Sequence, residues 1–355
     1  MALLGTSILA TSTHEWMRHC RAAEEAGLSS VWAADAFGHD CFVDAALALQ
    51  VTKVLPVGIA IAMPTRSPLQ AATAAASLHE LGGRLTLGLG PGHSEEEIAN
   101  PIGELMLRVV GPYTNRRAHG IPYYPPVERQ CEYHACVAAA LRGPKGELVE
   151  LRGEHWSIAA LGQGISRDEL PIVFGGLAPR MTRLAGEVAD GLVTHLLAPR
   201  ELIARRIAAA VADRDRPFLT AAGVECSLHA DERVALRRAR AEVGAAMQVP
   251  HFVARLRELH GDAAAERVVE LIAARRYDEA AEAVPEELVR SMILVSTPDR
   301  FRADVEAYAE VEQVLPLPVG QFFLAVPGIL GTGPADAAES RESIVRACFG
   351  GALRP

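Results

Sequence analysis

The sequence predicts an α/β fold, a single (β/α)8 TIM barrel spanning residues 1–355. Three observations carry that expectation. Short apolar runs alternate with longer helical segments, the rhythm of a parallel sheet built from βα units. Four such runs are complete by Leu89, the spacing of half a barrel. The same rhythm resumes at Pro171 after a long interruption.

The elements follow in order. Leu3 to Leu9 is the first apolar run, and Thr13 is the type of residue that caps a helix, here His14 to Ala26, with Gly27 suited to closing it. Ser30 to Asp35 forms the next strand. A helix from Val43 to Val51 leads to Val54 to Ala62, rich in β-branched residues, and Ser67 to Leu81 makes a third helix ended by Gly82-Gly83. Leu85 to Leu89 is the fourth strand. From about 91 to 127 the pattern fails, because Pro91, Pro101, Pro112, Pro122, Pro125 and Pro126 interrupt it among Tyr113, Tyr123 and Tyr124. So long a loop in a compact domain reads as a lid. Helix Glu128 to Leu141 and a surface hairpin in Leu148 to Ile158 come next.

The second half gives strands Pro171 to Gly175, Gly191 to Leu197 and Thr220 to Leu228, separated by helices Pro179 to Ala189 and Pro199 to Val211. About 231–295 is too long for one crossover and reads as a helical insertion between strands 7 and 8. Thr297-Pro298-Asp299 opens another helix, and the last strand lies within Gln313 to Val326.

Composition narrows the function. With 50% hydrophobic residues, 22% charged and a mean hydropathy of +0.13, the chain can fill a large core. A net charge of −9 argues against a general nucleic-acid binder, which needs a basic face. The six cysteines, Cys20, Cys41, Cys131, Cys136, Cys226 and Cys348, lack the spacing of a disulfide scaffold and read as reduced thiols of a cytoplasmic protein. Cys131, His134 and Cys136 lie on one helix with no second ligand pair, so no metal site is expected. Neither a signal peptide nor a membrane span is expected.

Four segments, in this order, resemble the luciferase-like monooxygenase superfamily: AEEAGLSSVWAAD from Ala23, VGIAIAMPTRSPLQAATAAASLHEL with GGRLTLGLGPG from Val57 to Gly92, APRMTRLAGEVADGL from Ala178, and STPDRFRADVEAY from Ser296. GHDCF near Gly38, RSPLQAA near Arg66 and the helical stretch RELHGDAAAERVVELIAARRYDEAAEAVPEELV are most similar to its coenzyme F420-dependent oxidoreductases of the mycobacterial type. The stretch after Gly90 departs from that group.

The resemblance implies a site at the carboxyl ends of the strands. It places Asp35 near a deazaflavin ring. Ala36 stands where the family often has a proton-donating histidine, and His39 with Asp40 is implied as the substitute. Ala60-Ile61 matches the place of a non-prolyl cis peptide behind the ring, with Met63 also touching it. Gly88, Gly90 and Gly92 would let backbone approach the cofactor beside Pro91. His93 occupies the place of an acidic catalytic residue in a relative, and a histidine there can move a proton. Gly175, Gly176, Leu177, Ala178, Arg180 and Met181 span a turn into a helix N-terminus, suited to the phosphate of F420 or FMN. His195 is implied on the substrate side. For each residue a plain structural role stands as the rival: a cap for Asp35, a core strand for Ala60-Ile61, solvated loops for His39 and His93.

The implied activity is hydride transfer between reduced coenzyme F420 and a C=C, C=N or C=O group of a small molecule or modified peptide. An FMN-dependent monooxygenase and a barrel that only binds remain as alternatives. A homodimer is implied, with no nucleic-acid or membrane partner.

Overall fold

The computed structural model describes residues 3–7, 12–35, 39–92, 125–194, 197–212, 214–247, 250–309 and 321–325. The first half runs β1 (Leu3–Ser7), α1 (Thr13–Glu25), β2 (Ser30–Ala33), α2 (Cys41–Val51), β3 (Val57–Ala62), α3 (Pro68–Gly82) and β4 (Leu85–Leu89). Then come α4 (Pro126–Arg142), the hairpin β5 (Leu148–Arg152) and β6 (Ser157–Leu161), β7 (Ile172–Gly175), α5 (Pro179–Val188), β8 (Gly191–Val193), α6 (Arg200–Val211) and β9 (Leu219–Leu228). The remainder is α7 (Glu232–Ala246), α8 (Pro250–His260), α9 (Asp262–Ala273), α10 (Tyr277–Ala283), α11 (Glu286–Met292), β10 (Ile293–Ser296), α12 (Phe301–Ala309) and β11 (Gln321–Ala325).

Eight parallel strands close on themselves in the order β9, β11, β1, β2, β3, β4, β7, β8, and β8 pairs back to β9. The expected (β/α)8 barrel is therefore the observed one. One strand was not expected: β10 lies within the stretch read as helical insertion, yet it pairs in parallel with β9 from Ile293 opposite Glu225 to Ser296 opposite Leu228. Four buried apolar or small residues follow α11 without a break, so no turn signal marks the change. β3 also starts later than expected. The Glu24 carboxylate accepts the backbone N–H groups of Lys53, Val54 and Leu55 at 2.8–3.0 Å, which removes them from the sheet.

Local chemistry explains the helix limits. Ser12, rather than Thr13, caps α1 by accepting from Glu15 N. α3 starts with a reciprocal Ser67–Gln70 capping box and Pro68 and ends at Gly83, φ +62°. The helix faces turned inward are apolar and largely alanine, as at Ala71, Ala72 and Ala75 of α3. Within the ring, Trp32 packs with Val173, Val193 and Ala221. A Cβ on Gly58 would meet the Trp32 ring at 2.2 Å, so glycine there lets the indole lie across the barrel. A separate apolar cluster joins α7, α8, α9 and α11 to β10.

The hairpin braces α4. Glu132 of α4 accepts N–H bonds from Glu154, His155 and Trp156 at 2.7–3.1 Å, and the Trp156 ring meets Tyr133 edge-on at 5.3 Å. The five described cysteines are free thiols. Among the described residues no helix is long and apolar enough to cross a membrane.

Candidate active site

The barrel brings the carboxyl ends of β2 and β3 together, and one arginine ties the loops that follow them. Arg66 donates through Nη2 to both oxygens of Asp35 at 3.2 Å and through Nη1 to Asp40 at 3.3 and 3.4 Å. Its guanidinium lies 4.7 Å over the Phe42 ring. The Asp35 side chain, only 1% exposed, also accepts from Cys41 N at 2.9 Å. Burial pushes its carboxyl up, with the Arg66 charge and the Cys41 N–H opposing. Asp40 caps α2 by accepting from Phe42 N and Val43 N.

The loop carrying Arg66 is held from outside the ring. Tyr133 of α4 donates its hydroxyl to Arg66 O at 3.2 Å, and Arg129 donates to Pro64 O at 3.1 Å while lying over the Trp156 ring. Hairpin, α4 and loop thus form a chain of contacts ending on the backbone of the segment that carries Arg66.

Beside this network His39 presents Nδ1 to both carboxylate oxygens of Asp44, each at 3.2 Å. Asp44 is buried in the first turn of α2, and its backbone oxygen accepts from Trp16 Nε1 at 2.7 Å. Burial raises the Asp44 carboxyl; the hydrogen bond and charge of His39 act against this, while Asp40 and Asp35 add to it. Asp35 and Asp40 therefore share the Arg66 guanidinium, while Asp44 faces the His39 ring.

On β3, the peptide between Ala60 and Ile61 is cis, as the resemblance implied. The pairing of β3 with β4 shifts register between Ile59 and Ala62, so the strand bulges there. Ala60 and Ile61 are half-buried against the interior cluster around Trp32, and Met63 just beyond is buried. Cβ atoms on Gly88, Gly90 and Gly175 would meet Ile61 side-chain atoms at 3.2, 1.9 and 2.6 Å. Gly88 and Gly90 thus make room for β3 and Ile61. Pro91 and Gly92, φ +73°, follow at the rim, both half-buried.

After β7 the chain turns through Gly176, φ +131°, into α5. Ala178 occupies the N-cap, and among the described residues no capping side chain bonds the first-turn N–H groups, a geometry suited to an anion. The expected roles within this turn change in detail. Arg180 is 70% exposed and pairs with Glu128 of α4 at 2.5 Å, away from a phosphate-gripping geometry. Leu177 and Met181 are core side chains, and Leu177 O accepts from Arg206 Nε at 3.1 Å. What these residues offer an anion is backbone N–H.

Several expectations shift accordingly. Asp35 turns its carboxylate into the protein, where it supports Arg66 and α2. Asp40 serves the same helix and the same arginine, and the carboxylate partnering His39 is Asp44. His93 and His195 lie outside the described residues. The grouping of metal-ligand types among the described residues, Asp35, Asp40 and Cys41, has both carboxylates on the Arg66 guanidinium. Burial and Asp35 push the Cys41 thiol well up, opposing its deprotonation. Asp44 was the residue sequence reasoning missed. A signal existed: it is the sole acid in the apolar helix CFVDAALALQV.

These features define a TIM-barrel protein whose described strand ends carry a bulge on β3, a histidine–carboxylate pair and an uncapped helix N-terminus. The chain belongs to the luciferase-like monooxygenase family, whose model matches residues 4–312. It is 26% identical over 316 residues to a Mycobacterium tuberculosis protein assigned by inference as a coenzyme F420-dependent oxidoreductase, covering 81% of this chain and 85% of the relative. It is also 26% identical over 254 residues to the 5,10-methylenetetrahydromethanopterin reductase of Methanolobus tindarius, covering 68% of this chain and 70% of that one. The solved coenzyme F420-dependent tetrahydromethanopterin reductase of Methanopyrus kandleri superposes with a TM-score of 0.69 over 98% of both chains, at 21% identity. That likeness speaks for the fold.

Proposed function

We propose that this protein is a coenzyme F420-dependent oxidoreductase that reduces, or in reverse forms, a C=C, C=N or C=O group of a small molecule or modified peptide. The observation that carries the reading is the β3 bulge, which puts half-buried Ala60 and Ile61 on the interior wall of the mouth. The names of the M. tuberculosis and M. tindarius relatives support the same activity class.

The residues fit such a cofactor. The bulge offers a flat apolar wall for a tricyclic ring, and Gly176 with the uncapped first turn of α5 offers N–H donors for its phosphate. When bound, the deazaflavin supplies hydride at its C5. Trp32 closes the barrel interior beneath the mouth and excludes water. His39 supplies the proton from its ring, with His93 as a second candidate. The protein works as a homodimer in the cytoplasm; exposed Val43, Leu69 and Leu81 on α2 and α3 give apolar surface for a partner copy.

Anaerobic equilibrium titration with F420 and with FMN tests the proposal. Micromolar binding of F420 with weaker FMN is the expected result. Tight FMN binding without F420 would make the protein an FMN-dependent monooxygenase, and binding of neither would leave a barrel without redox chemistry.

A further inference from the structure

We infer that Asp44 is a positioning residue that fixes His39 in the Nδ1–H form and so makes Nε2 the proton-transferring atom of the site. The inference rests on the proposed function for its chemistry and on the observed geometry for its structure. Both oxygens of Asp44 lie 3.2 Å from Nδ1, so an ionised carboxylate can accept a proton from Nδ1 through either oxygen. Among the described residues Nε2 has no hydrogen-bond partner, and the side chain keeps 13% exposure. One ring nitrogen is thus committed to the protein and the other is left to exchange a proton.

Asp44 is itself held in place. It sits in the first turn of α2, whose preceding residue Asp40 is fixed by Arg66, and its backbone oxygen is bonded to Trp16 Nε1. Its side chain is 8% exposed, so it cannot swing to solvent without breaking the first turn of a packed helix. The neighbouring carboxylate, Asp40, is tied to Arg66 and to the α2 N–H groups. The assignment of carboxylates is therefore unambiguous: Asp40 and Asp35 hold the arginine, and Asp44 holds the histidine.

The step is a proton transfer alone. The Nε2–H bond of protonated His39 breaks as its proton passes to the substrate atom that must gain one, and the bonding pair stays on the ring. The Nδ1–H bond is retained against Asp44, leaving a neutral imidazole that solvent reprotonates. The hydride completing the reduction comes from the reduced deazaflavin cofactor of the proposed function. An aspartate that orients a catalytic imidazole through Nδ1–H does the same work in hydrolytic triads, where it sets the tautomer and remains ionised.

The test uses the full chain labelled with 15N in histidine, the His39 ring signals being assigned by their loss in His39→Gln. In the cofactor-free protein the neutral ring should carry its proton on Nδ1. In Asp44→Ala the signals should move toward the Nε2–H form favoured by an imidazole without a partner. Turnover with reduced F420 should fall by about 10²–10⁴-fold in Asp44→Ala, the range of general acid–base catalysis, with cofactor affinity changed less than about twofold. Asp44→Asn preserves side-chain volume and serves if the alanine variant does not fold. A wild-type ring protonated on Nε2, or a variant that keeps both Nδ1–H and full turnover, overturns the inference. A wild-type protein that binds no F420 refutes the proposed function instead, while the ring spectrum, recorded without cofactor, still decides for or against Asp44.

Discussion

A Cβ built on Gly90 would lie 1.9 Å from Cδ1 of Ile61, far inside non-bonded contact, and the same side chain fills the space beside Gly175. The bulged wall of β3 is therefore shaped from its neighbours: β4 and β7 give up side chains where Ile61 projects. Gly90→Ala is expected to destabilise the protein by about 1–3 kcal/mol through overpacking. Because Ile61 must move, it should also weaken F420 binding at least tenfold. Chemical denaturation and cofactor titration of the same sample check both; unchanged binding with lowered stability would detach the wall from the cofactor.

Arg66 neutralises a buried charge. In Arg66→Met, Asp35 keeps Cys41 N but loses its cation, and breaking a buried pair from one side costs about 3–5 kcal/mol. Asp35→Asn in the same background should restore most of that loss, since the amide needs no counter-charge. Urea denaturation of both single variants and the double variant gives the coupling directly.

Buried histidines set an acid limit to stability. Desolvation is the largest cause that lowers His19 and His134, each to about 4 from 6.5, with the charge of Arg142 adding to the effect on His134. A histidine whose folded value is depressed is stabilising above pH 6.5, and that stability is lost as pH falls toward 4, because the unfolded chain binds the proton first. Each residue accounts for about 3 kcal/mol across that window. His134→Gln should flatten the fall in unfolding free energy between those two pH values by about that amount.

Glu225 acts in the opposite direction. Burial, and then the charge of Glu242, raise its carboxyl well above 4.5. Its contribution is fully present below pH 4.5 and is lost as pH rises through the raised folded value, because the folded protein holds the proton longer. Glu225→Gln should stabilise the protein at pH 8, by about 1.4 kcal/mol for each unit of displacement, and leave stability at pH 4 nearly unchanged. Thermal unfolding at the two pH values decides; equal effects at both would show that the carboxyl is ionised throughout.

Periodicity made the barrel legible, because eight buried parallel strands leave apolar runs between amphipathic helices wherever they occur in the chain. The bulge position and the uncapped turn before α5 were legible through resemblance. What escaped depends on contacts between distant residues. Val54 has a strand's chemistry, but Glu24, thirty residues earlier, takes its N–H, and the side chain ends 74% exposed. β10 follows a helix with no turn residue between them. The sequence offers no partner for the His39 ring, because the first turn of α2 is what carries Asp44 back to the imidazole while Asp40 faces Arg66.

The pairing of β10 with β9 bears on how this protein can diverge. Four consecutive backbone positions stitch the exit of the five-helix excursion beside its own entrance, from Glu225–Leu228 to Ile293–Ser296. Its two ends are thus clamped together independently of what lies between them. The excursion can be lengthened, trimmed or exchanged over evolutionary time while the closed ring persists.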